Sequence, residues 1–231
     1  AATTSASWTP PLSMLNAIPN ATSSGGLLAT TTYSGSTQIG SPTNTNFTLT
    51  APASVVPTIS TLTKSDTNAS VSSIVGTYVQ GLSTLKVDVP ASGVYSSTIQ
   101  SRTFSANGKT ANSGGTVPLT ASGTVQISAQ ATDSRGRTGT RDEDITVLAY
   151  SNPTFAKVLV RRSDASGVVM DNGTSLRVDL TAAVSSLMNG TQRNTMQIKV
   201  FTRALGTTTW TARNTINHTG ISYDSNVVVS G

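Results

Sequence analysis

Hydrophobic and polar residues alternate in short runs along this chain. In "TVQISAQAT", Val125, Ile127, Ala129 and Ala131 are separated by Gln, Ser and Gln. That pattern puts one face in and one face out of a half-buried antiparallel sheet. "SLRVDL" repeats it with Leu176, Val178 and Leu180. In "TMQIKVF", Met196, Ile198 and Val200 share one face, and Gln197, Lys199 and Phe201 the other. Glycine-containing turn signals punctuate the runs: Ser34-Gly35, Asn107-Gly108 and Arg135-Gly136, each suited to a hairpin. Strands are predicted around "TISTLTKS", "YVQGLSTLKVDVP", "SSTIQSRTFSAN", "TVQISAQATDS" and "GTRDEDITVLAY". The Leu, Glu, Ala and Lys runs that fill surface helices are nearly absent. The pattern predicts an all-β protein.

A repeat organises these runs. "PTISTLTKSD" starts at Pro57 and "PTFAKVLVRRSD" at Pro153, an offset of 153 − 57 = 96 residues. A β-sandwich module of immunoglobulin type is about 100 residues long. Each copy follows a strand-like run and a proline-bounded junction. "TTYSGSTQIG" and "ATDSRGRTGTR" occupy matching places before those junctions and read as closing hairpins. The expected organisation is therefore tandem immunoglobulin-like β-sandwich modules. Residues 1–51 would end one module, 52–149 would form a complete one, and 150–231 would be a further, truncated one.

Composition narrows the function classes. The chain of 231 residues has no cysteine, so disulfide frameworks and thiolate metal sites are excluded. A net charge of +5 raises the question of an anionic partner. The basic residues are spread thinly, however, with no run longer than Arg161-Arg162. The clustered bases and interleaved aromatics of nucleic-acid modules are missing, so no nucleic-acid partner is expected. No stretch reaches the ~18 apolar residues of a membrane span, and "AATTSASW" lacks the features of a signal peptide. No membrane partner is expected either.

The candidate chemistry is sparse. Asp142, Glu143 and Asp144 form the one dense carboxylate run. Alternation lets Asp142 and Asp144 converge, and Asp133 lies across the turn, so these three are the candidate ion site. Their spacing does not follow the calcium-loop pattern. The competing reading is a charged edge strand, with the carboxylates pairing Arg135, Arg137 and Arg141. Lys64 and Asp144, in the first and last strands, are the pair an intramolecular cross-link would use. His218 is the sole histidine. It sits in a predicted turn without the nucleophile motif a hydrolase triad requires. Glycosidase chemistry needs two facing carboxylates, and Glu143 is the only glutamate. No catalytic residue and no cofactor are expected. Trp210 is the candidate carbohydrate-stacking residue, while Trp8, beside Pro10-Pro11, reads as packed. Tyr78, Tyr95 and Tyr223 fit either role.

The stretch from Trp8 to Ala51 resembles tail proteins of siphoviruses, the long-tailed bacteriophages. The features that carry the resemblance are Trp8, Pro10-Pro11, "IPNATS" and "TYSGSTQIG". The junction "PASVVPTI" is similar to a domain boundary of that family, and "ATDSRGRT" to the closing hairpin of its repeated immunoglobulin-like domains. The resemblance implies a minor structural protein of the virion tail near its host-attachment end, a spacer or a receptor-binding platform. It implies other tail proteins as partners and assembly in the host cytoplasm; tail attachment proteins are often multimeric, and the sequence leaves the oligomeric state of this chain open. The alternative is an adhesin module that contacts bacterial surface polysaccharide directly.

Overall fold

Strands form where the alternation predicts them. The computed structural model describes residues 9–230, so Trp8 lies outside the described residues. Gly123–Asp133 and Thr138–Leu148 form a hairpin, and Val125, Ile127, Ala129 and Ala131 are all buried along the first strand. Gly136 closes its turn at φ 74°. At the next turn Asn107 and Gly108 have φ values of 52° and 72°, the left-handed pair that a tight hairpin requires. In Met196–Thr202 the predicted faces separate as well, with Met196 and Ile198 buried and Gln197, Lys199 and Phe201 exposed. Among the described residues the chain is all-β apart from one short 3-10 helix and one short α-helix.

Two compact units make up the chain. The first comprises residues 1–65, 86–117 and 126–144. It opens with a 3-10 turn, Leu12–Ala17, and the long hairpin of Ser23–Ser34 with Thr37–Thr50. Strand Ile99–Ala106 lies between Lys109–Asn112 and the strand leading into the Asp133 turn. A small buried cluster joins Leu15, Ala51 and Val55, with Leu49, Val94 and Tyr95 packed against it.

The second unit comprises residues 66–85, 118–125 and 145–231. A three-stranded antiparallel sheet runs in the order Thr154–Ser163, Ser175–Ala183, Ser222–Ser230, and a separate hairpin pairs Met196–Thr202 with Thr211–His218. Val178, Leu180, Ala182, Met196 and Ile198 form its main buried cluster.

One helix was not expected. "YVQGLSTLKVDVP" is broken into Tyr78–Val79 and Thr84–Asp88, and a seven-residue α-helix, Ala69–Val75, precedes it. Its sequence is rich in serine, which masks it. The caps explain it: the Asn68 side chain accepts from Val71 N at 3.3 Å, and Gly76 ends the helix at φ 72°. Val75 then packs with Val79 and Leu187, and Asn189 donates to the Val75 carbonyl at 2.8 Å.

Candidate functional site

The turn "DSRGR" is a joint. Asp133 Oδ1 accepts from the backbone N–H groups of Arg135 and Arg137, both at 2.9 Å, which folds the chain back in an Asx-type turn. That turn aims the Arg135 side chain inward, where it is fully buried. Its Nε donates to Ile18 O at 3.1 Å and its Nη1 to Val94 O at 2.8 Å. Its Nη2 donates to Leu15 O at 3.0 Å and to Tyr95 O at 2.6 Å. Two neighbours extend the grip: Ser134 Oγ donates to Pro19 O at 2.7 Å, and Arg137 Nη2 to Ala51 O at 2.8 Å. A planar guanidinium with five fixed donors suits such a set of carbonyls, whereas an ammonium would reach fewer of them.

Backbone strain gathers at the same place. Tyr95 and Ser96 are consecutive non-glycine residues with positive φ, 48° and 63°. That conformation costs energy and persists where surrounding contacts enforce it. Arg135 holds the Val94 and Tyr95 carbonyls, and Ser96 Oγ donates to Asn16 Oδ1 at 3.0 Å. The hairpin turn, the Tyr95 loop and the Leu12–Ala17 turn are thus one bonded assembly within the first unit. Buried Asp133 carries the counter-charge, with Arg135 Nη1 3.8 Å from its Oδ2.

The edge-strand reading of these arginines is therefore corrected. Arg135 and Arg137 do not pair with Asp142, Glu143 or Asp144; they satisfy main-chain carbonyls from earlier in the chain. Thr138–Leu148 is paired along one side by Gly123–Asp133 and, on the other, by Tyr78–Val79 at Val147 and Leu148. Arg141 alone behaves as expected, with its Nε 2.7 Å from Glu143 Oε1. Sequence reasoning missed the joint because its partners lie between 40 and 120 residues away along the chain. The available signal was a cluster of charge in a chain that otherwise carries little.

The candidate ion-site residues are not brought together. Asp133 faces the interior and is 1% exposed, whereas Asp142 and Asp144 lie on the solvent face of their strand. Among the described residues no group of three or more His, Asp or Glu side chains is placed to hold a metal ion. Lys64 meets Glu143, not Asp144, at 2.6 Å. The Lys64 ammonium, the Leu62 N–H and Arg141 together pull the Glu143 carboxyl down to about 2. His218 is half-buried at the end of a strand rather than in an exposed turn, edge-on to Tyr223 at 5.4 Å. Tyr223 is half-buried and packs against the core cluster of the second unit, and Tyr78 is half-buried, its hydroxyl pushed up by burial and by Asp66.

Trp210 stands on the surface of the second unit. It is 58% exposed and shares a shallow apolar depression with Phe201, itself 46% exposed. The Arg203 guanidinium lies 4.8 Å from the Trp210 ring centroid. This cation–π contact occupies part of the ring and leaves the remainder exposed. Leu205, fully exposed in the intervening loop, adds to the apolar tip. An apolar cleft of about 330 Å³ opens beside it, lined by Phe155, Val158, Leu176, Ile198 and Phe201. No acid–base pair lines either feature. Among the described residues no helix is long and apolar enough to cross a membrane.

Residues 1–226 match the model of a family described as siphovirus protein of unknown function (DUF859). No curated protein and no solved structure matches the chain.

Proposed function

We propose that this chain, which belongs to that siphovirus family, is a non-catalytic structural component of the phage tail near its host-attachment end. It serves there as a spacer or a receptor-binding platform built from immunoglobulin-like modules, with other tail proteins as partners. The observation that carries this reading is the family match over nearly the whole chain. The Arg135 joint supports it, because a spacer has to transmit load between successive β elements, and four charge-assisted bonds from one buried side chain resist hinging. Particles carrying the protein assemble in the host cytoplasm. Antibodies raised against the chain and used in immuno-electron microscopy of purified virions should decorate the tail tip. Labelling confined to heads, or none on intact particles, would refute the proposal.

The exposed tip of Phe201, Leu205 and Trp210 favours a second reading, an adhesin module that binds bacterial surface polysaccharide. A glycan array separates the two. An adhesin binds cell-wall sugars and loses them in Trp210→Ala; a spacer binds none.

A further inference from the structure

All 25 Lys, Arg, Asp and Glu side chains (15 + 10), and the one histidine, lie from Lys64 onward. Residues 1–63 hold none. Within that stretch lies the hairpin of Ser23–Ser34 and Thr37–Thr50, a two-stranded ribbon that no third strand joins among the described residues. Nearly every residue of both strands is exposed. Leu27 and Leu28 are each 59% exposed, Tyr33 58% and Ile39 54%.

The register sorts these residues into faces. Gly26 lies opposite Phe47, Leu28 opposite Thr45, and Leu49 opposite Ser24, so Leu28, Phe47 and Leu49 share one face. The Phe47 ring lies across Gly26, where a Cβ would come within 2.2 Å of it. Leu49 anchors this stripe in the cluster of Leu15, Ala51 and Val55. The reverse face sets Leu27 beside Asn46 and Ala29 beside Asn44, apolar groups alternating with uncharged amides.

A two-stranded ribbon is marginal in water by itself. Solvent-exposed strand edges are ordinarily protected by lysine or other charges, and this ribbon has none. Its charge pattern indicates what covers it. In a symmetric assembly the same surface patch recurs on every copy, so a charge near the axis faces its own like. A partner of different chemistry is ordinarily met by complementary charge, and here there is none to complement. We propose that the ribbon Ser23–Thr50 is the surface through which copies of this chain associate. The contact is apolar and amide-rich, with Leu28 and Phe47 at its centre; main-chain pairing is confined to edges away from Pro42 and the bulge between Thr30 and Thr32. The proposal rests on the ribbon alone and holds for either functional reading.

Sedimentation velocity of the 231-residue chain tests it. The wild type is expected to sediment at a multiple of 23.7 kDa. Leu28→Glu, and separately Ile39→Lys toward the other end of the ribbon, are expected to weaken association by about tenfold or more, because each places like charges in the contact. Both positions are solvent-exposed in the single chain, so far-UV circular dichroism should stay unchanged. Trp210→Ala, outside the ribbon, should assemble as wild type. A wild type that sediments at 23.7 kDa at micromolar concentration overturns the proposal, whether or not another protein then binds the ribbon. Assembly that survives both ribbon substitutions in folded protein, or is lost in Trp210→Ala, also overturns it.

Discussion

The guanidinium of Arg135 donates to the carbonyl of Leu15 at 3.0 Å across 120 residues of sequence. This bond ties the closing hairpin to the 3-10 turn that begins the described chain. Three further carbonyls, of Ile18, Val94 and Tyr95, share the same side chain. Removing that side chain strands four acceptors and leaves buried Asp133 without its nearest cation.

Arg135→Ala is accordingly expected to lower stability by about 3–5 kcal/mol, the range for breaking one side of a buried charged network. Arg135→Lys should recover only part of that, since three donors on one nitrogen cannot span the four carbonyls. Urea denaturation measures the loss, and limited proteolysis should show new cleavage between residues 12 and 22. A variant as stable and as resistant as wild type would remove the joint from this account.

The Glu143 ion pairs give a pH dependence. The folded carboxyl sits at about 2 against an ordinary value of 4.5. Its stabilisation is thus fully present above pH 4.5 and is lost as pH falls through about 2. Glu143→Gln should cost about 1–2 kcal/mol at pH 7, allowing for partial solvent screening. The difference from wild type should shrink steadily in urea titrations carried out between those two pH values. A difference that stays constant down to pH 2 would mean the carboxylate is not held by Lys64 and Arg141.

Two glycines separate conformational strain from steric exclusion. Gly136 has φ 74° with open space where a Cβ would stand, whereas a Cβ on Gly139 would lie 2.0 Å from the carbonyl oxygen of Pro57. Gly136→Ala should cost about 1 kcal/mol, the left-handed penalty for an L-residue. Gly139→Ala should cost more, about 2–3 kcal/mol, because main chain must move to admit it. Thermal unfolding of the two variants side by side should rank them in that order.

Asn68→Ala removes the cap of helix Ala69–Val75 and should cost about 1 kcal/mol. Because Val75 packs with Leu187, the same variant should speed amide hydrogen exchange in residues 187–189 as well as in the helix. Faster exchange in the helix alone would show that the packing does not depend on the cap.

The amino-acid sequence by itself determined the β class, the strand faces and the hairpin turns. Those features are local: a period of two places Ile127 and Ala129 on one face whatever surrounds them, and Asn107-Gly108 supplies positive φ from its own covalent structure. The helix Ala69–Val75 was also encoded locally, by Asn68 and Gly76, but its Ser-rich interior hid the pattern between the caps. Tertiary structure decided the rest. Asp133 and Asp142 are nine residues apart on one hairpin, yet the pleat sends one inward and the other to solvent, so the two carboxylates do not share a face. Arg135 sits in a turn, where local reasoning points it at water. Main-chain carbonyls of Leu15, Ile18, Val94 and Tyr95 converge beneath that turn only after the chain has folded, and they draw the guanidinium inside because buried acceptors must be satisfied.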